Sequence, residues 1–354
     1  MTKRLVICCD GTWNTPDQPA PTNVCRVALA VAPSDGAGRE QRMFYHSGVG
    51  TRPGERLWGG AFGFGLSRTV REAYRFLVRT FEPGDELFLF GFSRGAYTAR
   101  SLAGLVRNCG ILRPEHDDRI GEAYALYRAR GSKTHPRSAA AELFRRSYSR
   151  ETRIRFLGVW DTVGALGIPL SGLRLVNLVN RQWQFHDTEL SSSIDAACQA
   201  LAIDERRPPF RPALWRSSGR TRVEQVWFAG VHSDVGGGYP DRALADISLL
   251  WMVERARAHG LAFEPGAFAT TEPDPLGQAH ESRAGFYKLM RPHVRTLGTT
   301  AHEYAASSAV QRQAMVAGYA PNLDTYLSEG GAVLPVGSDE GERFPVPSPA
   351  PEPA

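Results

Sequence analysis

A serine, an aspartate and a histidine acting together turn a hydroxyl into a nucleophile, and this chain offers one of each in a suitable setting. Ser93 stands in Glu86-Leu87-Phe88-Leu89-Phe90-Gly91-Phe92-Ser93-Arg94-Gly95-Ala96, an apolar strand-like run that ends in G-x-S-x-G and opens into a helix-compatible segment. A sharp strand-to-helix turn pushes a serine hydroxyl clear of the sheet. Gly91 and Gly95 accept backbone angles and close approaches that a Cβ forbids. In a chain with 36 glycines the five-residue pattern alone is weak, and its place between strand and helix gives it weight. A serine hydroxyl is a poor nucleophile at neutral pH, so a base must take its proton and a carboxylate must hold that base in the right tautomer. The candidates are His232, in Gly230-Val231-His232-Ser233-Asp234-Val235-Gly236-Gly237-Gly238-Tyr239, and Asp161, in Gly158-Val159-Trp160-Asp161-Thr162-Val163-Gly164.

Ser93, Asp161 and His232 follow the order nucleophile, acid, histidine found in α/β-hydrolase chains, far enough apart for each to stand on a different strand end. His302, in Thr300-Ala301-His302-Glu303-Tyr304, is the rival base, because many hydrolases carry their histidine after the last strand. Acyl transfer also needs donors for an oxyanion. The backbone N–H of Arg94 is one by position, at the positive end of the following helix. The loop Asp10-Gly11-Thr12-Trp13-Asn14 is the best source of a second, from Gly11 or Thr12, with Asp10 and Asp234 as supporting residues. Each residue also has a plainer reading. Ser93 fits a helix N-cap, Asp161 and Asp234 fit turn or cap residues, Asp10 fits a turn bonding its own backbone, and His232 fits a surface loop.

The elements that must position these groups alternate between strand and helix. Arg4-Leu5-Val6-Ile7-Cys8-Cys9 reads as a strand buried on both faces, and Met43-Phe44-Tyr45-His46 as a second. Leu66 to Phe81 has near-helical apolar spacing, and Pro83-Gly84-Asp85 turns the chain into the strand before Ser93. Ala96 to Val106 suits a helix, Ile154 to Trp160 and Val223 to Val231 suit strands, and Leu244 to Ala258 suits another helix. Such alternation implies an α/β fold: a mainly parallel sheet with helices on both faces and ligands beyond the carboxyl ends of the strands. Asp10, Ser93, Asp161 and His232 all fall at such ends. The expected organisation is one α/β domain over residues 1–334, with lid-like insertions at about 113–150 and 166–222 and a Pro-rich solvated tail at 335–354. Leu170, Leu173, Leu175, Val176, Leu178 and Val179 form an apolar cluster in the second insertion that suits either acyl chains or a plain buried helix.

A chain of 354 residues with 42% hydrophobic and 22% charged residues has ample material for a core. Its net charge of +5 comes almost wholly from scattered arginine, which argues against nucleic acid as a partner and also suits an anionic headgroup or peripheral contact with a membrane face. Five cysteines without C-x-x-C spacing exclude a disulfide scaffold as the expectation. No apolar run approaches the ~18 residues of a membrane span. The run after Lys3-Arg4 is too short for a signal-peptide core, so the expected location is cytoplasmic, with signal-peptide-independent secretion open. The chemistry calls for no cofactor or metal.

Taken together, Cys9-Asp10-Gly11-Thr12-Trp13-Asn14, Gly91-Phe92-Ser93-Arg94-Gly95-Ala96, Gly158 to Gly164 and Val231 to Tyr239 resemble the α/β-hydrolase family of bacterial type VI secretion phospholipase effectors. Phe185-His186-Asp187-Thr188-Glu189-Leu190 and Ala202-Ile203-Asp204-Glu205-Arg206-Arg207 extend the resemblance, which spans most of residues 1 to about 325. It implies an α/β-hydrolase fold and a serine esterase whose triad is Ser93, Asp161 and His232. In the effector members the substrates are acyl esters of glycerophospholipids, which makes an ester or phospholipid the expected substrate. The acyl chain, headgroup, oligomeric state and any immunity or secretion partner stay open. Three other readings compete. A small-ester hydrolase and an inactive hydrolase-fold binding module share the motifs, and His232 and Asp234 with Asp10 would suit a metal. Asp10-Gly11-Thr12 is also similar to the phosphatase pattern D-x-D-G-T, but Cys8 holds the place of its nucleophilic aspartate.

Overall fold

The computed structural model describes residues 2–11, 14–48, 61–129, 135–164, 190, 193–216 and 221–336, with backbone alone at 61–64 and 286. The strands are β1 (Arg4–Cys9), β2 (Gln41–His46), β3 (Glu86–Phe92), β4 (Ile111–Leu112), β5 (Ser149–Arg150), β6 (Ile154–Trp160), β7 (Ile194–Ala202), β8 (Arg222–Phe228), β9 (Glu303–Ala306) and β10 (Val333–Leu334). The helices are α1 (Asn23–Ala30), α2 (Ala61–Thr80), α3 (Arg94–Cys109), α4 (Ile120–Arg128), α5 (Ala139–Tyr148), α6 (His232–Gly236), α7 (Ala243–Ala258), α8 (Ser307–Met315) and α9 (Pro321–Ser328). Eight strands form one sheet in the order β10-β9-β8-β7-β6-β3-β1-β2. Every pairing in that sheet is parallel. Strands β4 and β5 make a separate antiparallel pair.

Alternate residues of each central strand feed opposite cores, because successive side chains leave opposite faces of a strand. Val6, Cys8, Phe88, Phe90, Phe156 and Trp160 pack on one face with residues of α1 and α7. Leu5, Ile7, Leu87, Leu89, Leu157 and Val159 pack on the other with residues of α2 and α3. The expected α/β-hydrolase-like architecture is therefore present. Sheet order reverses where β3 joins β1 on the side away from β2. The crevice outside such a reversal is where ligands bind in open parallel sheets, and Asp10 and Ser93 stand on its two sides.

The two segments read as insertions differ from that expectation. Within 113–150, residues Ile120, Ala123, Tyr127 and Phe144 of α4 and α5 join the same core as α2 and α3, so this stretch adds a helical layer to that face. Within 166–222 lies β7, an interior strand between β6 and β8. Its sequence, Ile-Asp-Ala-Ala-Cys-Gln-Ala-Leu-Ala, is rich in alanine and poor in β-branched residues, so nothing local marks it as a strand. The apolar cluster at 170–179, the motif residues Phe185 to Glu189 and nearly all of the expected tail lie outside the described residues.

Candidate active site

The G-x-S-x-G glycines are there for space. A Cβ on Gly91 would sit 2.4 Å from the Gly95 carbonyl oxygen, and one on Gly95 would sit 2.0 Å from the Cys9 carbonyl oxygen. Between them Ser93 takes φ 57° and ψ −118°, a conformation that costs a non-glycine residue on the order of 1–3 kcal/mol. Its N–H donates to the Trp160 carbonyl at 3.0 Å, which fixes the turn to β6. Ser93 precedes α3, yet its side chain makes no capping hydrogen bond. The plain N-cap reading therefore fails, and the hydroxyl is left for another use.

Asp161 follows β6 directly, fully buried and at φ 37°. Its Oδ2 lies 2.5 Å from His232 Nδ1. Arg295 donates to both its oxygens, from Nη1 to Oδ1 at 2.6 Å and from Nη2 to Oδ2 at 3.0 Å, and the Ala202 N–H adds a third bond to Oδ1 at 3.1 Å. Burial alone would push this carboxyl up, but the Arg295 guanidinium and His232 hold it well below the usual carboxylate range. Asp161 is thus ionised, so Nδ1 of His232 carries the hydrogen and Nε2 keeps its lone pair. Burial also pulls the His232 imidazole below its ordinary value, outweighing its bond to Asp161 and the charges of Asp161 and Glu205. The ring is neutral at neutral pH, the form a general base needs.

His232 opens α6, and its ring lies against Phe92 at 4.6 Å and edge-on to Phe210 at 5.0 Å. Its backbone N–H donates to Glu205 Oε2 at 3.3 Å. Glu205 is gripped by the Arg207 side chain at 2.9 and 2.8 Å and accepts from the Ser282 hydroxyl at 2.9 Å. Burial favours the protonated acid, and the Arg207 bonds and charge overcome it to hold Glu205 below its ordinary value. His232 therefore sits between two carboxylate–guanidinium pairs, Asp161–Arg295 and Glu205–Arg207. Among the described residues no hydrogen bond joins the Ser93 hydroxyl to His232. Such contacts are often long in ligand-free sites and tighten when substrate arrives.

The plainer reading holds for Asp234, whose Oδ2 caps the Val231 N–H at 2.9 Å while Oδ1 meets His280 Nδ1 at 2.6 Å. Asp10 binds its own backbone as that reading expects, with Gly11 N–H at 2.6 Å, and also accepts from Thr22 and Tyr45 at 2.7 Å each. The Gly11 N–H thus points at Asp10, and Thr12 lies outside the described residues. Gly11 still abuts Ser93, since a Cβ there would come within 3.4 Å of Ser93 Cβ. His302 is exposed at the amino end of β9, the opposite end of the sheet from these groups. With Asp10 and Asp234 committed elsewhere, the metal arrangement is not assembled, and among the described residues no group of three or more His, Cys, Asp and Glu could hold an ion.

Residues 3–255 match the family described as "T6SS, Phospholipase effector Tle1-like, catalytic domain". The chain belongs to that family. Ser93, Asp161 and His232 fall inside the span matched to the Tle1-like catalytic domain, while Arg295 falls beyond it. The chain is also 30% identical over 232 residues to the uncharacterized protein YEL023C of Saccharomyces cerevisiae, over 59% of this chain and 32% of the yeast protein. It therefore spans about a third of the length of that curated relative. Among solved structures, an uncharacterized protein from Pseudomonas aeruginosa is 19% identical with a TM-score of 0.47, over 77% of this chain and 49% of the other. The Tle1 effector bound to the VgrG spike of the type 6 secretion system is 21% identical with a TM-score of 0.40, over 68% and 52%. The esterase Est2 of Thermogutta terrifontis, with butyrate bound, is 14% identical with a TM-score of 0.39, over 75% and 85%.

Arg295, Glu205 and Arg207 were not marked as functional by the sequence. Glu205 and Arg207 stand in a motif that carries the family resemblance, which was a usable signal. Arg295 lies in an irregular stretch and reaches Asp161 across 134 positions, a pairing with no local trace.

Proposed function

We propose that the protein is a serine esterase acting through an acyl-enzyme intermediate, with carboxylic esters of glycerophospholipids as its substrates. The observation that carries this reading is the buried Asp161–His232 pair, whose imidazole lies against Phe92, the residue before a serine that occupies a strained elbow without capping its helix. In the reaction, His232 Nε2 takes the Ser93 proton as Oγ attacks the ester carbonyl. The Arg94 N–H at the head of α3 faces the developing oxyanion. His232 then protonates the leaving alcohol, and water attacks the acyl-enzyme with the same base. The phospholipid class is supported by the Tle1-like family, which also supports export as an effector and a secretion-system partner. One hydrolase domain over residues 1–334 carries the whole site in this reading.

The test is turnover of p-nitrophenyl esters and mixed phospholipids by the purified protein beside Ser93→Ala and His232→Ala. Each variant is expected to lose roughly ten-thousand-fold or more in kcat with its fold intact. Near-normal turnover by Ser93→Ala sinks the nucleophile assignment, and a preference for short soluble esters over every phospholipid removes the lipid substrate.

A further inference from the structure

One surface segment is built against the site on its inner side and is cationic and apolar on its outer side. Between Glu281 and Glu303 the chain contains no acidic residue, while Arg283, Lys288, Arg291 and Arg295 fall within that interval. On the inner side Arg295 grips Asp161, and the His293 N–H donates to the Arg206 carbonyl at 2.9 Å. Tyr287, in the short 3-10 turn Gly285–Leu289, packs edge-on to Phe210 at 6.2 Å, and Phe210 packs edge-on to His232. On the outer side Leu289 is 83% exposed and Val294 57%, beside the exposed Lys288 and Arg291. The Arg283 guanidinium donates to the carbonyls of Lys288 and Met290 at 3.1 and 2.9 Å, closing the turn so that Leu289 is held outward.

Single exposed apolar residues need no explanation, but an exposed leucine on a braced turn, flanked in sequence by cations and by no acid from 282 to 302, has the composition of an interfacial contact. Such a surface places leucine and valine side chains at the acyl boundary while lysine and arginine meet anionic headgroups, each cation adding to the attraction. We propose that residues 283–294 dock the protein on an anionic phospholipid bilayer and set the mouth of the site at the membrane surface. The occupant is chosen by charge: the exposed Lys288 and Arg291 complement an anionic surface, and the acid bordering the segment, Glu281, is engaged by the Arg283 N–H at 2.8 Å. This inference rests on the esterase reading for its purpose, since it brings lipid esters to Ser93, but the docking itself is measurable without turnover.

The test uses the full chain carrying Ser93→Ala, so that vesicles stay intact, co-sedimented with vesicles of phosphatidylcholine alone and of phosphatidylcholine with phosphatidylglycerol. Capture is expected on the phosphatidylglycerol vesicles and is expected to fall about tenfold on phosphatidylcholine alone, in Leu289→Ser and in Lys288→Glu/Arg291→Glu. In the active background, both variants should turn over a soluble p-nitrophenyl ester within about twofold of the unaltered protein, which shows a folded site. Capture equal on both vesicles, capture on neither, or capture unchanged in both variants overturns the proposal. Vesicle capture by a protein that turns over no ester would support docking and defeat the esterase reading alone.

Discussion

Arg295 binds both oxygens of Asp161, and a guanidinium there opposes the help that the carboxylate gives to a protonated His232. Removing that charge while keeping a hydrogen-bonding side chain, as in Arg295→Gln, lets Asp161 raise the His232 pKa. In the proposed reaction the neutral imidazole is the base, so the acid limb of the kcat/KM profile should then move to higher pH. Arg295→Lys keeps the charge and should leave the limb near its original position. A uniform loss of rate in Arg295→Gln with the limb unmoved would mean that the arginine only braces the loop. The strain at Ser93 gives a second prediction. Ser93→Gly should abolish turnover without lowering the melting temperature, because glycine tolerates the positive φ, whereas a marked drop would indicate a structural serine. The strand-end places of Ser93, Asp161 and His232 were legible in the sequence because an apolar run precedes each. Arg295 was not, because an arginine in an irregular segment has no period or spacing to give it away.

The elbow and the histidine loop depend on tight contacts between elements. Gly95→Ala puts a Cβ against two backbone oxygens, those of Cys9 and Asp10, which no rotamer can relieve. It should cost about 2–4 kcal/mol in urea unfolding, while Gly164→Ala, facing open space, should stay within about 0.5 kcal/mol. Equal stabilities for the two variants would contradict the packing of α3 on the end of β1. Asn23, at the start of α1, donates to the carbonyls of Val235 and Ala245 at 3.0 Å each and reaches the Ser248 hydroxyl at 3.2 Å, tying α6 to α7. Asn23→Ala should cost about 1–3 kcal/mol and lower kcat, as the turn that presents His232 loosens. Elements with strong patterns, β1, β3, β6, β8, α3 and α7, were readable from apolar runs and helical spacing. Strand β7 was not, because an alanine-rich strand at the centre of a sheet is specified by its neighbours and not by its own residues.

At the scale of the molecule, a sheet buried on both faces leaves little of the chain's chemistry reachable except at the carboxyl ends of its strands. All five cysteines are free and buried, and burial pushes the Cys9 thiol up to about 12. A thiol reagent should therefore react slowly with native protein and label five sites only after unfolding, and reductant should leave the melting temperature unchanged; rapid native labelling would contradict the packing of β1. No described helix is long and apolar enough to cross a membrane. The α/β class was legible from alternation alone, whereas the depth of the site required the sheet order that brings Asp161 and His232 together. The most direct measurement is reaction of the native protein with a fluorophosphonate, followed by mass mapping of the modified residue. One adduct is expected, on Ser93, formed more slowly below the pKa of His232 and absent in His232→Ala. An unmodified Ser93 in a folded protein that still turns over esters would contradict it.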